Sequence, residues 1–243
     1  MNIWRGKQIR SSLMSVGCKA LLTLVSLPVW GAPLPCAQTT LENYISLAEG
    51  CTVDSLLFSN FGFTENTATS NPSVDDIIVS PSPSTGPDDW TGIGITHVSG
   101  QFLLLGPQLN IDFEITFTVS GTLYPLYGVS LFSDASATGS GNHARVREFV
   151  DYGSGTVQMH SNHSSNGPHT REFPSAQSVD VTKLFVLDTG NGGGSSAISF
   201  VDQGFYTHAP EPTTIILGGC GLLAIVFCGR RSRFGKSIPS KTA

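Results

Sequence analysis

The segment from residue 111 to residue 119 alternates strictly between apolar and polar side chains, and this limits the fold more than any other feature. The apolar positions are Ile111, Phe113, Ile115, Phe117 and Val119, with Asp112, Glu114, Thr116 and Thr118 between them. Successive side chains of a β-strand point to opposite faces, so a period of two indicates a strand buried on one side only. Such a strand is typical of antiparallel sheets that cover a core on one face.

Similar short apolar runs recur along the chain. They lie at 53–58, 77–79, 93–95, 102–105, 128–132, 145–152, 156–160, 179–187 and 197–206. Connectors rich in proline, serine, aspartate and glycine separate them, as at 80–89 and 189–194, which is the composition of turns. We therefore predict an all-β domain, a two-sheet antiparallel β-sandwich that is jelly-roll-like or immunoglobulin-like.

One short amphipathic helix is predicted ahead of these strands, over residues 40–49. Thr39 and Glu42 have the spacing of a capping box, and Gly50 supplies a stop. The apolar positions at helical spacing are Leu41, Tyr44, Ile45 and Ala48. We expect this face to lie on the rest of the domain.

The N-terminus has the pattern of a secretory signal peptide. Basic residues precede an apolar run at 20–30, which is 11 residues long, and small residues follow it. That run is too short to span a bilayer. We predict a signal peptide at 1–31, cleaved after Gly31 by signal peptidase following transport by the general secretion machinery, with Met14 as an alternative start. Residues 32–208 then form an extracytoplasmic domain.

Cys36 and Cys51 flank the predicted helix and are the cysteines that lie outside the two hydrophobic terminal segments. In an oxidising compartment two such cysteines pair. We predict a disulfide between them, worth about 3 kcal/mol in the chain-entropy model.

Charge is distributed unevenly along the chain. Of 13 basic residues only four lie between the two termini, namely Arg145, Arg147, Arg171 and Lys183. That central segment holds 17 of the 18 acidic residues, so its net charge is −13. A field of this sign repels nucleic acid, and we exclude nucleic-acid binding. Basic residues at both ends also predict that both ends face the cytoplasm before processing.

The C-terminal segment 209–236 has three parts in a fixed order. They are Pro210-Glu211-Pro212, the uncharged apolar span 213–229, and the cluster Arg230, Arg231 and Arg233. As a helix the span is roughly 25 Å long, slightly short of the ~30 Å hydrocarbon core of a bilayer. We predict a marginal transmembrane helix whose arginines stop translocation, followed by a cytoplasmic tail at 237–243.

These three parts resemble the PEP-CTERM sorting signal of Gram-negative bacteria. The resemblance implies that an exosortase, a membrane-embedded cysteine protease, cuts near Pro210-Glu211-Pro212. It also implies an inner-membrane-anchored precursor that passes to the cell surface or extracellular matrix, often alongside exopolysaccharide. An ordinary single-pass anchor with a proline stalk is the alternative.

The central domain is loosely similar to the uncharacterised sandwich domains that PEP-CTERM proteins often carry. The shared order is Cys36, a short helix, 50–54, 58–61, 180–183 and 198–200. This resemblance implies a fold and no activity.

Several patterns have both a chemical and a structural interpretation. They are Asp188-Thr189-Gly190, Gly153-Ser154-Gly155, the histidines His160, His163 and His169, and the acidic pairs Asp75-Asp76 and Asp88-Asp89. The first matches an aspartic-protease motif, but it occurs once and too near the C-terminus for a protease lobe. The second lacks the spacing of a nucleophile elbow, the histidines lack a standard metal spacing, and the acidic pairs lack an EF-hand spacing. We expect turns and solvated loops, with no catalytic residue, metal or cofactor.

Two functions remain. The first is a non-catalytic structural or adhesive surface protein associated with exopolysaccharide. The second is a carbohydrate-binding module that recognises the exopolysaccharide through exposed aromatic side chains. Its candidate residues are Trp90, Tyr124, Tyr127 and Tyr152. A contiguous exposed patch of these rings would favour the second function, whereas buried or dispersed rings would remove its support.

Overall fold

The computed structural model describes residues 33–66, 68–84, 90–165 and 167–207, and strands dominate these ranges. In chain order the elements are β1 (Leu34–Pro35), β2 (Thr39–Thr40), α1 (Leu41–Ile45), β3 (Cys51–Val53), β4 (Leu56–Glu65), β5 (Ile77–Ser82), β6 (Thr91–His97), β7 (Phe102–Leu105), β8 (Asn110–Gly121), β9 (Leu126–Thr138), β10 (His143–Asp151), β11 (Thr156–Asn162), β12 (His169–Ala176), β13 (Ser178–Asp188) and β14 (Ser195–Thr207). A 3-10 turn, Val74–Asp76, precedes β5.

The strands form two sheets. The first sheet has the order β1-β3-β4-β8-β13-β10-β11, and the second has the order β12-β9-β14-β6-β5-β2, with β7 also paired to β14. Among the described strands, every pair is antiparallel except the short parallel pair β1–β3. The two-sheet, largely antiparallel class predicted from the sequence is therefore confirmed.

The alternating pattern of β8 places its apolar side chains in the core. Its five apolar positions are buried, and the polar positions between them are half-buried on the outer face. The inner faces of the two sheets meet directly: the ring of Phe58 in β4 lies 6.2 Å from that of Phe205 in β14, and Phe102 in β7 lies 5.6 Å from Phe185 in β13. The sheets thus pack face to face over one hydrophobic core.

The helix is shorter than predicted. α1 has five residues, and its N-cap Thr40 makes no side-chain capping hydrogen bond. Asn43 Nδ2 instead donates to the hydroxyls of Thr39 and Thr40, at 2.7 and 3.0 Å. The predicted Thr39–Glu42 capping box is therefore wrong, because the helix begins one residue later than the box requires, with Thr40 as N-cap and Asn43 as the third helical residue. The helix ends at Ile45 with Ser46 as its C-cap, so the predicted stop at Gly50 is also wrong; Gly50, with a φ of 69° that favours glycine, lies directly before β3.

The disulfide between Cys36 and Cys51 is present, with a Cα–Cα separation of 4.9 Å. The backbone N–H of Cys36 also donates to the carbonyl of Thr52 at 2.8 Å. The pairing predicted from the sequence is confirmed, and the short helix makes the return of the chain easier than a helix over 40–49 would.

Besides the two-residue strands β1 and β2, one longer described strand was not predicted. β12 is largely polar, and Phe173 is its one buried residue. It also contains Pro174, which removes a backbone donor and is tolerated on edge strands. β12 lies at the edge of the second sheet, which explains why it lacks a hydrophobic pattern.

The predicted signal peptide at 1–31 and the predicted sorting segment at 209–236, with its span at 213–229 and the tail at 237–243, lie outside the described residues. Across the ranges that the structure describes, no helix is long and apolar enough to cross a membrane.

Candidate ligand-binding site

Three glycines of β6 and β14 lie on the outer face of the second sheet. Gly204 of β14 pairs with Gly92 of β6, and Asp202 pairs with Gly94. Gln203, between them, points inward to the first sheet, where its amide contacts Lys183. Because side chains alternate along a strand, Asp202, Gly204 and the two glycines of β6 face outward.

Aromatic rings pack over two of these glycines. The indole of Trp90 lies over Gly204, where it occupies the space that a Cβ would take, and the ring of Phe200 lies over Gly94 in the same way. Tyr206 follows Gly204 by two residues on the same face, and its ring centroid is 5.9 Å from that of Tyr127 in β9. All four rings are half-buried and keep part of their surface in solvent. We call Trp90, Tyr127, Phe200 and Tyr206 the aromatic face.

Trp90 is held in place from the first sheet. Asp54 lies in the turn between β3 and β4, and its Oδ2 accepts from the hydroxyl of Thr91 at 3.1 Å and from the backbone N–H of Ser84 at 3.0 Å. These bonds fix the start of β6 next to Trp90. Three of the four rings therefore belong to paired strands, and Trp90 directly precedes β6.

A carboxyl group lies within this face. Burial raises the pKa of Asp202 to about 6, opposed by the backbone N–H of Gln203 and by Lys183. Asp202 Oδ1 is buried and accepts no hydrogen bond from any described residue. A buried acceptor without a partner disfavours the ionised form of the carboxyl group, in line with the raised pKa of Asp202.

Two of the four aromatic residues predicted from the sequence belong to the aromatic face, and two do not. Trp90 and Tyr127 lie on it. Tyr152 stacks on Phe173 with centroids 5.4 Å apart and packs against the core. Tyr124 lies, half-buried, in the turn between β8 and β9.

Phe200 and Tyr206 were missed by the sequence reasoning. A signal for them was present in β14, because Phe200, Asp202, Gly204 and Tyr206 alternate with Val201, Gln203 and Phe205. A period of two places the first set on one face. That reading would have added two rings and a carboxyl group to Trp90.

A second concave site lies on the outer face of the first sheet, on β10 and β11. Its lining residues are Arg145, Arg147, Gln158, His160 and Asn162, and its volume is about 330 Å³. The side chains offer mainly hydrogen-bond donors, and Arg145 Nε is buried without a partner among the described residues. Chemically this groove suits an anionic or carbonyl-bearing group.

The structure assigns turn roles to two patterns with possible chemistry. Asp188 Oδ1 accepts from the N–H of Gly190 at 2.6 Å, and the hydroxyl of Thr189 bonds both backbone groups of Leu109. This motif closes the end of β13 against the start of β8. Residues 153–155 form the β10–β11 hairpin, where Asp151 accepts from the N–H of Gly153 at 2.8 Å.

The histidines are divided between two pairs. His160 lies 6.1 Å from His169 between ring centroids, and His163 lies 6.2 Å from His143. Within the described ranges, no three His, Cys, Asp or Glu side chains are grouped closely enough to hold a metal ion.

The structure gives a capping role to one residue of the acidic pair Asp75-Asp76. Asp76 caps the 3-10 turn by accepting from the N–H and hydroxyl of Ser73, at 3.2 and 3.1 Å. Asp88 and Asp89 lie outside the described residues.

No protein-family model and no curated protein matches this chain. Among solved structures, TmCBM61 in complex with β-1,4-galactotriose aligns with 62% of this chain and 90% of its own chain, with a TM-score of 0.33 and 14% sequence identity. A TM-score at this level identifies neither a shared fold nor a shared ligand. The function has to be judged from the residues of this chain.

Proposed function

We propose that this protein is a non-catalytic, carbohydrate-binding β-sandwich that acts outside the cytoplasm and holds exopolysaccharide at the cell surface or in the extracellular matrix. The aromatic face carries the proposal. Sugar rings have apolar C–H faces and polar edges, and half-exposed Trp and Tyr rings match both, since each combines a large apolar surface with a polar group. Such side chains also lose little conformational entropy on binding.

Asp202 adds directionality to this surface. Asp202 is half-buried on the face that carries the rings, and its carboxyl group can accept a hydrogen bond from a sugar hydroxyl. The net charge of −13 for the central segment repels polyanions. We therefore infer that the aromatic face prefers uncharged sugar residues.

Export and sorting complete the proposal. The Cys36–Cys51 disulfide fits an oxidising compartment. The segment at 209–236 is proposed to act as a PEP-CTERM signal, so that signal peptidase removes 1–31 and an exosortase processes the C-terminus. The sandwich would then be released to the envelope surface or matrix, where it meets the exopolysaccharide.

Affinity gel electrophoresis tests the binding step. The full-length protein is run through gels containing β-1,4-galactan, β-glucan, xylan or, as the anionic polymer, polygalacturonate. We expect retardation by at least one neutral polymer. Trp90→Ala and Tyr206→Ala should each weaken binding about tenfold or more, the loss of ~1.4 kcal/mol expected for an aromatic anchor.

Phe149→Ala is the matched control, because Phe149 is half-buried on the outer face of the other sheet, in register with Gln158. It should bind like the wild type. Migration unaffected by any of the four polymers, or equal retardation of wild type and Trp90→Ala, would contradict the proposal.

A further inference from the structure

Three reactive side chains meet in the core between the two sheets. Lys183 of β13, Glu148 of β10 and Gln203 of β14 are all fully buried, at 0% exposure. Lys183 and Glu148 are directly opposite each other in the first sheet, and Gln203 faces them from the second. Lys183 Nζ contacts both Glu148 Oε2 and Gln203 Oε1. The lysine amine therefore touches a carboxyl group and a carboxamide at once.

As an ion pair this cluster is poorly satisfied. An ammonium group has three donors, but Lys183 has two acceptors among the described residues, and Glu148 Oε1 has no partner there. Burial lowers the pKa of Lys183 and raises the pKa of Glu148, while their mutual attraction opposes both shifts. Removing both charges from water has a large cost that this geometry does not fully repay. That cost is avoided when the pair is a neutral amine beside a neutral carboxylic acid.

We propose that Lys183 and Gln203 become joined by an amide bond that forms in the folded core and links the two sheets, with Glu148 as the catalytic residue that moves protons. Lys183 Nζ contacts Gln203 Oε1, and Oε1 is bonded to the carbonyl carbon Cδ that the amine would attack. The reaction is a transamidation. It requires no oxidant, metal or cofactor.

The steps balance as follows. The lone pair of Nζ attacks Cδ of Gln203, while Glu148 gives its proton to Oε1, which forms a tetrahedral intermediate. Glu148 then takes a proton from Nζ and delivers a proton to Nε2. The Cδ–Nε2 bond breaks and ammonia leaves, while Oε1 gives its proton back to Glu148 and the carbonyl re-forms. Glu148 ends as the carboxylic acid that it was at the start, and the products are one secondary amide and one ammonia.

The fold supplies the two conditions that such a reaction needs. β13 and β14 hold the amine and the carboxamide in fixed positions in facing sheets, which converts a bimolecular step into an intramolecular one with effective molarities of roughly 10⁵ M or more. The surrounding core excludes water, so hydrolysis does not compete. The product also removes a buried amine that could otherwise take up a proton. The bond would tie β14, the strand that leads to the C-terminal segment, to the first sheet.

Mass spectrometry of the purified full-length protein tests this directly. Trypsin cleaves after Arg171 and, if the amine is free, after Lys183. With the amide bond present, the peptide that begins at Glu172 should continue past Lys183 and weigh one ammonia less than its sequence mass. Cleavage at Lys183 with the unmodified mass would overturn the proposal. Loss of one water in place of ammonia would overturn it too, because it would assign the bond to a carboxyl group, such as that of Glu148, and not to Gln203.

Substitutions separate the chemical roles. Glu148→Gln keeps the shape of the side chain, and Lys183→Met removes the nucleophile; both proteins should retain the full mass. Glu114→Gln, on the outer face of β8, is the matched control and should show the ammonia deficit. Bond formation in Glu148→Gln would overturn the role of Glu148. If the core variants do not fold, the wild-type mass alone decides.

Discussion

Asp202 belongs to the proposed binding face and also affects how the stability of the fold depends on pH. Its neighbour Gln203 points into the core, so Asp202 itself points outward among the aromatic rings. Burial raises its pKa from 3.8 to about 6. The folded state therefore binds this proton more tightly than the unfolded state does. The resulting stabilisation is present below about pH 4 and is lost as the pH rises through 6.

Asp202→Asn should consequently change the pH dependence of stability. We expect nearly equal free energies of unfolding for variant and wild type near pH 4. At pH 8 the variant should be more stable by roughly 1 kcal/mol, a figure discounted for partial exposure of the carboxyl group. Urea denaturation followed by tryptophan fluorescence across this range measures the difference. Asp134→Asn, at an exposed position of β9, is the control. A difference for Asp202→Asn that does not vary with pH would contradict the assignment.

At the scale of elements, β6 and β14 are built to let rings lie flat on a sheet. Gly92, Gly94 and Gly204 leave three positions of the outer face without a side chain. Trp90 and Phe200 occupy the space left above Gly204 and Gly94. Glycine inside a strand lowers its stability, so close approach by another group is the usual reason for its presence. Here the close approach is by the rings of the proposed binding face.

Gly204→Ala should displace Trp90 without unfolding the domain. The new Cβ would fall inside the volume of the indole, so the ring has to move away from the sheet. We expect a red shift of tryptophan emission and about tenfold weaker polysaccharide binding, a loss of ~1.4 kcal/mol. Gly167→Ala is the control, because nothing lies within 4 Å of the added Cβ. Unchanged emission and binding in Gly204→Ala would show that Trp90 does not lie over this glycine.

At the scale of the whole molecule, several connections meet at one end of the sandwich. In the first sheet Leu56 of β4 pairs with Gly121 of β8, and in the second Thr207 of β14 pairs with Leu126 of β9. Thr122 donates to the carbonyl of Ser55 across the same end. Tyr127 and Tyr206 lie at this end, next to the last described residue. The proposed binding face is therefore adjacent in sequence to the proposed sorting segment.

The proposed sorting predicts a defined product. In a host with an exosortase, the mature protein should end near Pro210 and lack residues 215–227, because proline is expected to favour an extended backbone around the cleavage point. Replacing Pro210, Glu211 and Pro212 with alanine should leave a larger, membrane-bound precursor. Intact mass and cell fractionation measure both, and expression in a host without an exosortase is the control. Equal mass and equal membrane fraction for substituted and native proteins would identify the segment as a plain anchor.

Much of this architecture follows from local pattern. A period of two assigns each side chain of β8 and β13 to a face, and the structure keeps these assignments. The disulfide was also predictable, since two cysteines close in sequence had no competing partner within the domain. Helix length was not predictable, because the side chains that follow α1 fit a turn as well as they fit a helix.

The tertiary structure alone decided which sheet faces pack together and which distant residues come into contact. Alternation places Lys183, Glu148 and Gln203 on inner positions of three separate strands, but it does not say that β13 pairs with β10 or that β14 lies opposite. The same holds for Trp90 over Gly204 and for Tyr152 on Phe173. Strand periodicity depends on neighbours in sequence, whereas register and sheet facing depend on pairings between distant segments. The sequence by itself therefore determined the faces of the strands, and only long-range pairing could bring the aromatic rings and the core cluster together.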